Sequence, residues 1–297
     1  MEWYEAIILG LVQGLTEFLP VSSSGHLIIG KELLGVEAAD DLVFEVLVHA
    51  ATVLSTIVVF RKQLWELVRG FFRFRYNDET DYVLKICVSM IPVFIVGMFF
   101  KDFVEGLFQS IIVVGVALMC TAVLLFLSDM ASGSLFRKQG RPGDAGTAPE
   151  NGIRTSGDGA AARKVSLSER KGYRNGISYW QAFVVGLGQA LAVVPGLSRS
   201  GTTISTGLLC GVRRDVMAQF SFLMVMIPIL GESFLQVVGG EMTGSSIGVL
   251  PLVLGFVSAF VSGLFACKVM IALVKRARLT WFAVYCAVVA ALIFIFN

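Results

Sequence analysis

Gln13-Gly-Leu-Thr-Glu17-Phe-Leu-Pro20-Val-Ser-Ser-Ser-Gly-His26 has a second edition later in the chain, Gln189-Ala-Leu-Ala-Val-Val-Pro195-Gly-Leu-Ser-Arg-Ser-Gly-Thr202. A shift of 176 positions lays the first on the second without a gap. Gly10, Leu11, Gln13 and Leu15 then fall on Gly186, Leu187, Gln189 and Leu191. Ser22, Ser24 and Gly25 fall on Ser198, Ser200 and Gly201, and Phe44 on Phe220. Only the prolines, Pro20 and Pro195, miss register, by one place. A constant offset of this length marks duplicated halves. Each copy sets a polar, glycine-bearing loop into apolar surroundings, and that demands a reason.

The surroundings are those of a membrane. Of 297 residues 56% are hydrophobic and 15% charged, with a mean hydropathy of +0.77, whereas soluble domains carry about a quarter charged residues. With repeated apolar runs of about 20 residues, this predicts an all-α polytopic membrane protein. The arms flanking the first loop are Ile7–Leu19, 13 residues, and Leu27–Leu34, eight residues. Crossing a ~30 Å hydrocarbon core takes about 20 helical residues, so residues 3–36 read as a re-entrant helical hairpin, and 180–211 as its copy. Non-helical backbone at membrane depth is tolerated only where protein covers it or it lines a water-filled cavity. The loops therefore mark a site. Spans at about 42–60, 82–100 and 110–128 complete a first repeat, 1–129. Spans at about 216–238, 247–270 and 279–296 complete a second, 179–297. The intervening 130–178, rich in Gly, Ser, Arg and Lys, cannot bury enough apolar surface to order itself and reads as a flexible polar cytoplasmic linker.

Three spans per repeat is an odd number, so the second copy should enter the membrane inverted. The basic residues agree. Of 24 lysines and arginines, all but Lys31, Lys101 and Arg199 fall on or near the face opposite the N-terminus, and basic loops stay cytoplasmic. Both termini and the first hairpin's mouth should face outward, and the second hairpin should enter from the cytoplasm. Two such loops meet near mid-depth, where inverted-repeat proteins with broken helices place their sites. The opening Met1-Glu2 has no basic n-region, so no cleaved signal peptide is expected. Five cysteines (Cys87, Cys120, Cys210, Cys267, Cys286) lie in apolar segments and read as small buried hydrophobes. Two histidines and no Cys/His cluster argue against structural zinc.

Glu17 and Arg199 are ionisable groups in apolar elements, which are expensive there and either pair structurally or serve function. Ser22, Ser23, Ser24, His26, Ser198, Arg199, Ser200, Thr202 and Thr203 add hydroxyls, an imidazole and a guanidinium within two short turns. Gly25, Gly196 and Gly201 let backbone N–H groups turn toward a ligand. Each loop leads into a helix N-terminus, where free N–H groups and the dipole favour an anion. The arginine fork matches phosphate oxygens. The combination describes a phosphate-sized anion site suited to phosphoryl transfer, with Ser23 or His26 attacking phosphorus and Glu17 as base or metal ligand. Gln13 lies one turn before Glu17 on the same helical face, where it either joins the site or bonds a neighbouring helix. Glu45 and His49 share a face of the first full span, as a structural pair or as part of the site. Glu232 reads as snorkelling to the interface, Asp129 and Asp215 as helix-boundary residues, and Arg69–Arg75 as a contact for anionic headgroups. No nucleic-acid pattern is present.

These paired motifs resemble the bacterial undecaprenyl-diphosphate phosphatase family of the bacitracin-resistance type, over nearly the whole chain except the linker. The resemblance implies removal of the terminal phosphate from undecaprenyl diphosphate, giving the monophosphate carrier lipid of peptidoglycan synthesis. It also implies dependence on a divalent cation, Mg²⁺ or Ca²⁺, and a site opening toward the periplasmic side of the cytoplasmic membrane. The family's acidic motif maps onto Gln13 and Glu17, the expected metal ligands. Its serine-histidine motif maps onto Ser22, Ser23, Ser24 and His26, and its arginine motif onto Ser198, Arg199, Ser200 and Thr203; Gly25 and Gly201 are expected to bind phosphate beside them. In the mechanism this implies, Arg199, the loop N–H groups and the cation hold the diphosphate. Ser23 attacks with Glu17 activating it, and His26 serves as general acid or alternative nucleophile. Three features depart from the family: Gln13 stands where some members carry glutamate, His49 stands where glutamine is frequent, and the linker is longer and more polar. Expected partners are the lipid substrate, membrane lipid and a second copy in a homodimer. A transporter or flippase of a lipid phosphate is the rival class, since it would use the same inverted-repeat site.

Overall fold

Residues 1–36, 41–107, 110–138, 174–238, 247–276 and 278–296 are described by a computed structural model. Helices make up the regular structure of the described residues: α1 Trp3–Thr16, α2 Ser23–Leu34, α3 Asp41–Phe71, α4 Asp78–Phe99, α5 Lys101–Leu107, α6 Ile111–Lys138, α7 Tyr179–Leu191, α8 Arg199–Leu209, α9 Arg214–Val238, α10 Val249–Arg276 and α11 Thr280–Phe296. A 3₁₀ turn at Arg174–Gly176 precedes α7. Five of these helices (α3, α4, α6, α9 and α10) are long and apolar enough to cross a membrane. This is a multi-pass helical membrane protein. The expected span at 279–296 is α11, a 17-residue apolar helix of about 25 Å at ~1.5 Å per residue.

The short helices on either side of the polar loops are built alike, down to their caps. Ser178 and Gln181 form a reciprocal capping box at the start of α7, with Gln181 N donating to Ser178 Oγ at 3.1 Å and Ser178 N to Gln181 Oε1 at 2.9 Å. At the equivalent place before α1, Glu2 N donates to Glu5 Oε2 at 2.7 Å. Both second arms end on a left-handed glycine, Gly35 at φ 68° and Gly211 at φ 80°, the usual helix stop because glycine lacks the Cβ that penalises this region. The same two bonds close each end: Gly35 N to Glu32 O and Val36 N to Lys31 O, then Gly211 N to Leu208 O and Val212 N to Gly207 O.

Each first arm packs closely on a long helix of the other half. Helix α1 lies along α10, and α7 along α4. A Cβ added at Gly10 would stand 2.4 Å from Gly255 O, and one at its repeat partner Gly186 would stand 2.2 Å from Ser89 O. Without a hydrophobic driving force between helices in lipid, small residues that let backbones approach supply the packing. Buried cores run through the middle, one including Phe18, Val53, Phe220 and Met224, the other Leu9, Leu27, Phe44 and Ala259. Large apolar side chains such as Phe94, Phe265 and Trp281 remain exposed around the outside, as a lipid-facing surface requires.

Several expected boundaries move. The second arm begins at Ser23, not Leu27, because the serines supply the cap and first turn. Helix α3 continues past residue 60 to Phe71 and carries Arg61, Lys62 and Arg69 on helix rather than loop. Helix α6 runs through Asp129 to Lys138. Asp129 is no boundary residue: it pairs with Arg214 and accepts from Thr280 N at 3.2 Å and Thr280 Oγ1 at 2.5 Å, capping α11 from another helix. Asp215 pairs with Arg213. The expected loop 101–109 contains α5, and Lys31, expected in an outer loop, lies on α2, buried and paired with Glu45. All five cysteines are free, but Cys87 and Cys120 are exposed on the apolar exterior rather than buried. Most of the predicted linker (139–173), the loop 239–246 and the Glu232 side chain lie outside the described residues.

Candidate active site

Helix α1 stops at Thr16, and Glu17 is its C-cap, donating its N–H to Gln13 O at 3.0 Å. Residues 17–22 turn the chain, and α2 starts at Ser23. Ser22 caps it, its Oγ accepting from Gly25 N at 3.3 Å. Ser22 does so at φ 69°, a region in which a residue other than glycine is strained and which clusters at functional turns. The second turn is capped in the same way, with Gly201 N donating to Ser198 Oγ at 3.1 Å. There the positive φ falls on Gly196, at 88°.

The two turns touch. Ser200 Oγ donates to Leu19 O at 3.1 Å. A Cβ on Gly201 would lie 3.2 Å from Pro20 Cβ, and one on Gly25 would lie 3.2 Å from Gly196 Cα. Glycine at 25, 196 and 201 lets the loops meet, and the sequence pattern had assigned these positions to ligand approach. Glu17, Arg199 and Ser200 line one cavity together with Thr52, Thr56 and an apolar wall that includes Phe18, Phe222 and Met226. The wall comes from the first turn (Phe18), α3 (Val53) and α9 (Phe222, Met226).

Around Glu17 and Arg199 the polar groups divide into partnered and unpartnered. Ser23 Oγ donates to Glu17 Oε2 at 2.5 Å, and Gln13 Nε2 donates to the same oxygen at 2.9 Å. The Glu17 side chain is only 9% exposed, so these two donors and the helix packing hold it in one orientation. Gln13 Oε1 is buried with no hydrogen-bond partner among the described residues, and so is Arg199 Nη1. A buried guanidinium nitrogen without an acceptor is costly and calls for an anion from outside. Gln189, the repeat partner of Gln13, donates from Nε2 to Met90 Sδ at 3.9 Å, and its Oε1 too is buried with no partner among the described residues; the position matching Glu17 is Val193.

The remaining predicted residues are placed as follows. His26 Nδ1 donates to Ser22 O at 2.7 Å, and Nε2 accepts from Tyr285 OH at 2.8 Å with the two rings stacked. His26 therefore faces Tyr285 on α11. Ser22 Oγ lies 3.4 Å from Ser24 Oγ, as Ser198 Oγ does from Ser200 Oγ. Ser198 N donates to Thr121 Oγ1 at 3.0 Å. Thr203 Oγ1 bonds Arg199 O at 2.9 Å and Ser221 Oγ at 2.6 Å, holding α8 against α9. Thr202 Oγ1 is buried without a partner. His49 belongs at the site: its Nε2 is 3.9 Å from Glu17 Oε2. Thr52, Thr56 and Tyr285 were not foreseen. For the threonines a signal existed, since Glu45, His49, Thr52 and Thr56 form a polar stripe at helical spacing on an apolar span. Tyr285 sits in an apolar run with nothing to mark it.

A multi-pass helical protein in which a serine-bonded carboxylate and an arginine line one cavity fits the class of membrane-embedded enzymes. The particular family is clear: residues 6–292 match the model of the bacitracin resistance protein BacA family, and the chain belongs to it. A relative from Bacteroides fragilis named undecaprenyl-diphosphatase is 47% identical over 97% of this chain and 96% of its own length. Relatives of the same name from Parabacteroides distasonis and Christiangramia forsetii are 48% and 44% identical, over 97% and 99% of this chain and 96% and 98% of their own.

Proposed function

We propose that this chain is an undecaprenyl-diphosphatase, releasing the terminal phosphate of undecaprenyl diphosphate and returning the monophosphate carrier lipid to peptidoglycan synthesis, with bacitracin resistance as the consequence. The observation that carries the mechanism is the 2.5 Å bond from Ser23 Oγ to Glu17 Oε2, a carboxylate that lines one cavity with Arg199, whose buried Nη1 has no partner among the described residues. The diphosphate enters between the two turns, its oxygens accepting from the Arg199 fork and from N–H groups at the starts of α2 and α8. The apolar wall between α3 and α9 receives the first part of the lipid tail. Ser23 Oγ attacks the terminal phosphorus while Glu17 takes its proton. The bond from that phosphorus to the bridging oxygen breaks, and undecaprenyl phosphate leaves with the electron pair. Glu17 passes that proton to the departing phosphate and is a carboxylate again; water then attacks the phosphoserine, giving up a proton to Glu17, which returns it to Ser23 Oγ as the Oγ–P bond breaks and inorganic phosphate is released. Arg199 contributes most as charge shifts in the transition state, inside a partly dry pocket. Both ring nitrogens of His26 are engaged, which favours Ser23 as the nucleophile and leaves His26 to brace the loop against Tyr285.

A divalent cation fits beside the diphosphate. The buried, unpartnered Gln13 Oε1 and the Glu17 carboxylate are hard oxygen donors, and an ion with few protein ligands completes its shell with water and substrate phosphate. Bound there, it would neutralise diphosphate charge. Among the described residues no group of three or more acidic, histidine or cysteine side chains forms a ready-made metal cage, in keeping with a site completed by substrate.

The two halves read as inverted repeats, each with a re-entrant hairpin, in the bacterial cytoplasmic membrane with the site open to the periplasm. Support comes from arms of 11 to 14 residues, the shared caps, the reciprocal packing of α1 on α10 and α7 on α4, and the basic bias of one face. The test is phosphate release from C55 diphosphate by the purified protein in detergent, with trapping of phosphoserine at residue 23. Release without phosphoserine would favour attack by water. Lipid movement in vesicles without release would favour a carrier.

A further inference from the structure

We infer that His49 Nε2 is a third protein ligand for the cation held by Glu17 and Gln13, and that it shifts the site's preference from Mg²⁺ and Ca²⁺ toward first-row transition ions. The inference rests on the cation reading above, and its test separates the two. His49 Nδ1 lies 2.8 Å from Glu45 O. A carbonyl only accepts, so Nδ1 carries a proton, and in the neutral ring Nε2 presents its lone pair. A metal-binding histidine is characteristically held in this way, its other ring N–H donated to a backbone carbonyl.

That lone pair faces Glu17 Oε2 across 3.9 Å. The gap exceeds a hydrogen bond, which ends near ~3.2 Å, and two electron-rich atoms so placed repel unless something positive lies between them. Ligands of one ion, each about 2.0–2.2 Å from it, stand up to about 4.2 Å apart, so the gap suits a shared cation. The buried Gln13 Oε1 without a partner supplies the third donor. The sequence has only two histidines, and His26 has both nitrogens in hydrogen bonds. His49 Nε2 is thus the imidazole nitrogen left for a metal. Oxygen ligands alone select Mg²⁺, Ca²⁺ or Mn²⁺, while imidazole favours ions such as Co²⁺, Ni²⁺ and Zn²⁺.

The test loads the purified full-length protein with Mn²⁺ alone and records electron spin-echo modulation. Wild-type and His26→Gln protein should show coupling to a histidine nitrogen, and His49→Gln should lose it. Uniform ¹⁵N-histidine labelling of the wild type should change the pattern with no variant needed. In equilibrium competition, His49→Gln should weaken Co²⁺ at least ~10-fold relative to Mg²⁺. Mn²⁺ bound without nitrogen coupling would overturn the His49 ligand and favour a protonated His49 paired with Glu17, leaving the oxygen site standing. Coupling that survives in His49→Gln would also overturn it. No Mn²⁺ binding by the wild type would overturn the cation site and this ligand with it.

Discussion

Ser23 and Arg199 occupy the same place in their repeats, 176 positions apart, each the first residue of a helix behind a capping serine. In the proposed mechanism one copy serves as nucleophile and the other as phosphate clamp, while Ser22 and Ser198 both cap their helices. The division follows from Glu17, whose repeat partner is Val193: a base stands beside the hydroxyl and not beside the guanidinium. Arg199→Ala should lower the rate of phosphate release by on the order of 10²–10³. Arg199→Lys should recover only part of that, since an ammonium restores charge without the fork. Ser23→Ala should lower the rate by ~10³ or more while the purified protein keeps its helical circular dichroism. Wild-type turnover by either alanine variant would remove that residue from the mechanism.

At the scale of the helix, backbone contact rather than side-chain bulk positions the turns. A methyl at Gly186 would sit 2.2 Å from Ser89 O, so α7 would have to move off α4, whereas at Gly97 on α4 nothing lies within 4 Å. Gly186→Ala should therefore destabilise by about 1–3 kcal/mol, read as a lower thermal midpoint in detergent. Gly97→Ala should be neutral or slightly stabilising, by up to about 1 kcal/mol. Gly196 meets two obstacles together, a φ of 88° and Val114 O at 2.6 Å from the Cβ it lacks. Gly196→Ala should push the second turn away from the first, so activity should fall further than stability. Equal losses in both would count against a role in joining the loops.

Across the whole molecule, the second half is tied to the first by a buried polar latch. Asp81 accepts from Lys85 at 2.5 Å, Tyr76 at 2.7 Å, Tyr179 at 3.0 Å and Asn175 at 3.1 Å, and both charged side chains are 3% exposed. Tyr179 opens the second half and Asn175 stands near the end of the segment predicted as linker, so that end is held on α4 rather than flexible. Asp81→Asn, which takes the negative charge away from beside the buried Lys85, should cost about 3–5 kcal/mol in chemical denaturation. Replacing residues 141–171 by a short glycine-serine segment should leave phosphate release unchanged; a large loss would give the linker a part in catalysis. The sequence by itself determined the membrane class, the duplication, and the polar residues of both turns, because hydropathy, a fixed offset and motif spacing are properties of the chain in one dimension. It did not distinguish Gly25, Gly196 and Gly201 as contact points between loops from ligand-facing glycines. Nor did it turn His26 toward Tyr285, bring His49 to Glu17, or make Asp129 the cap of a distant helix. Those assignments depend on which helices become neighbours, and in lipid that is decided by close backbone packing such as Gly10 on Gly255 and Gly186 on Ser89, which exists only once the halves have come together.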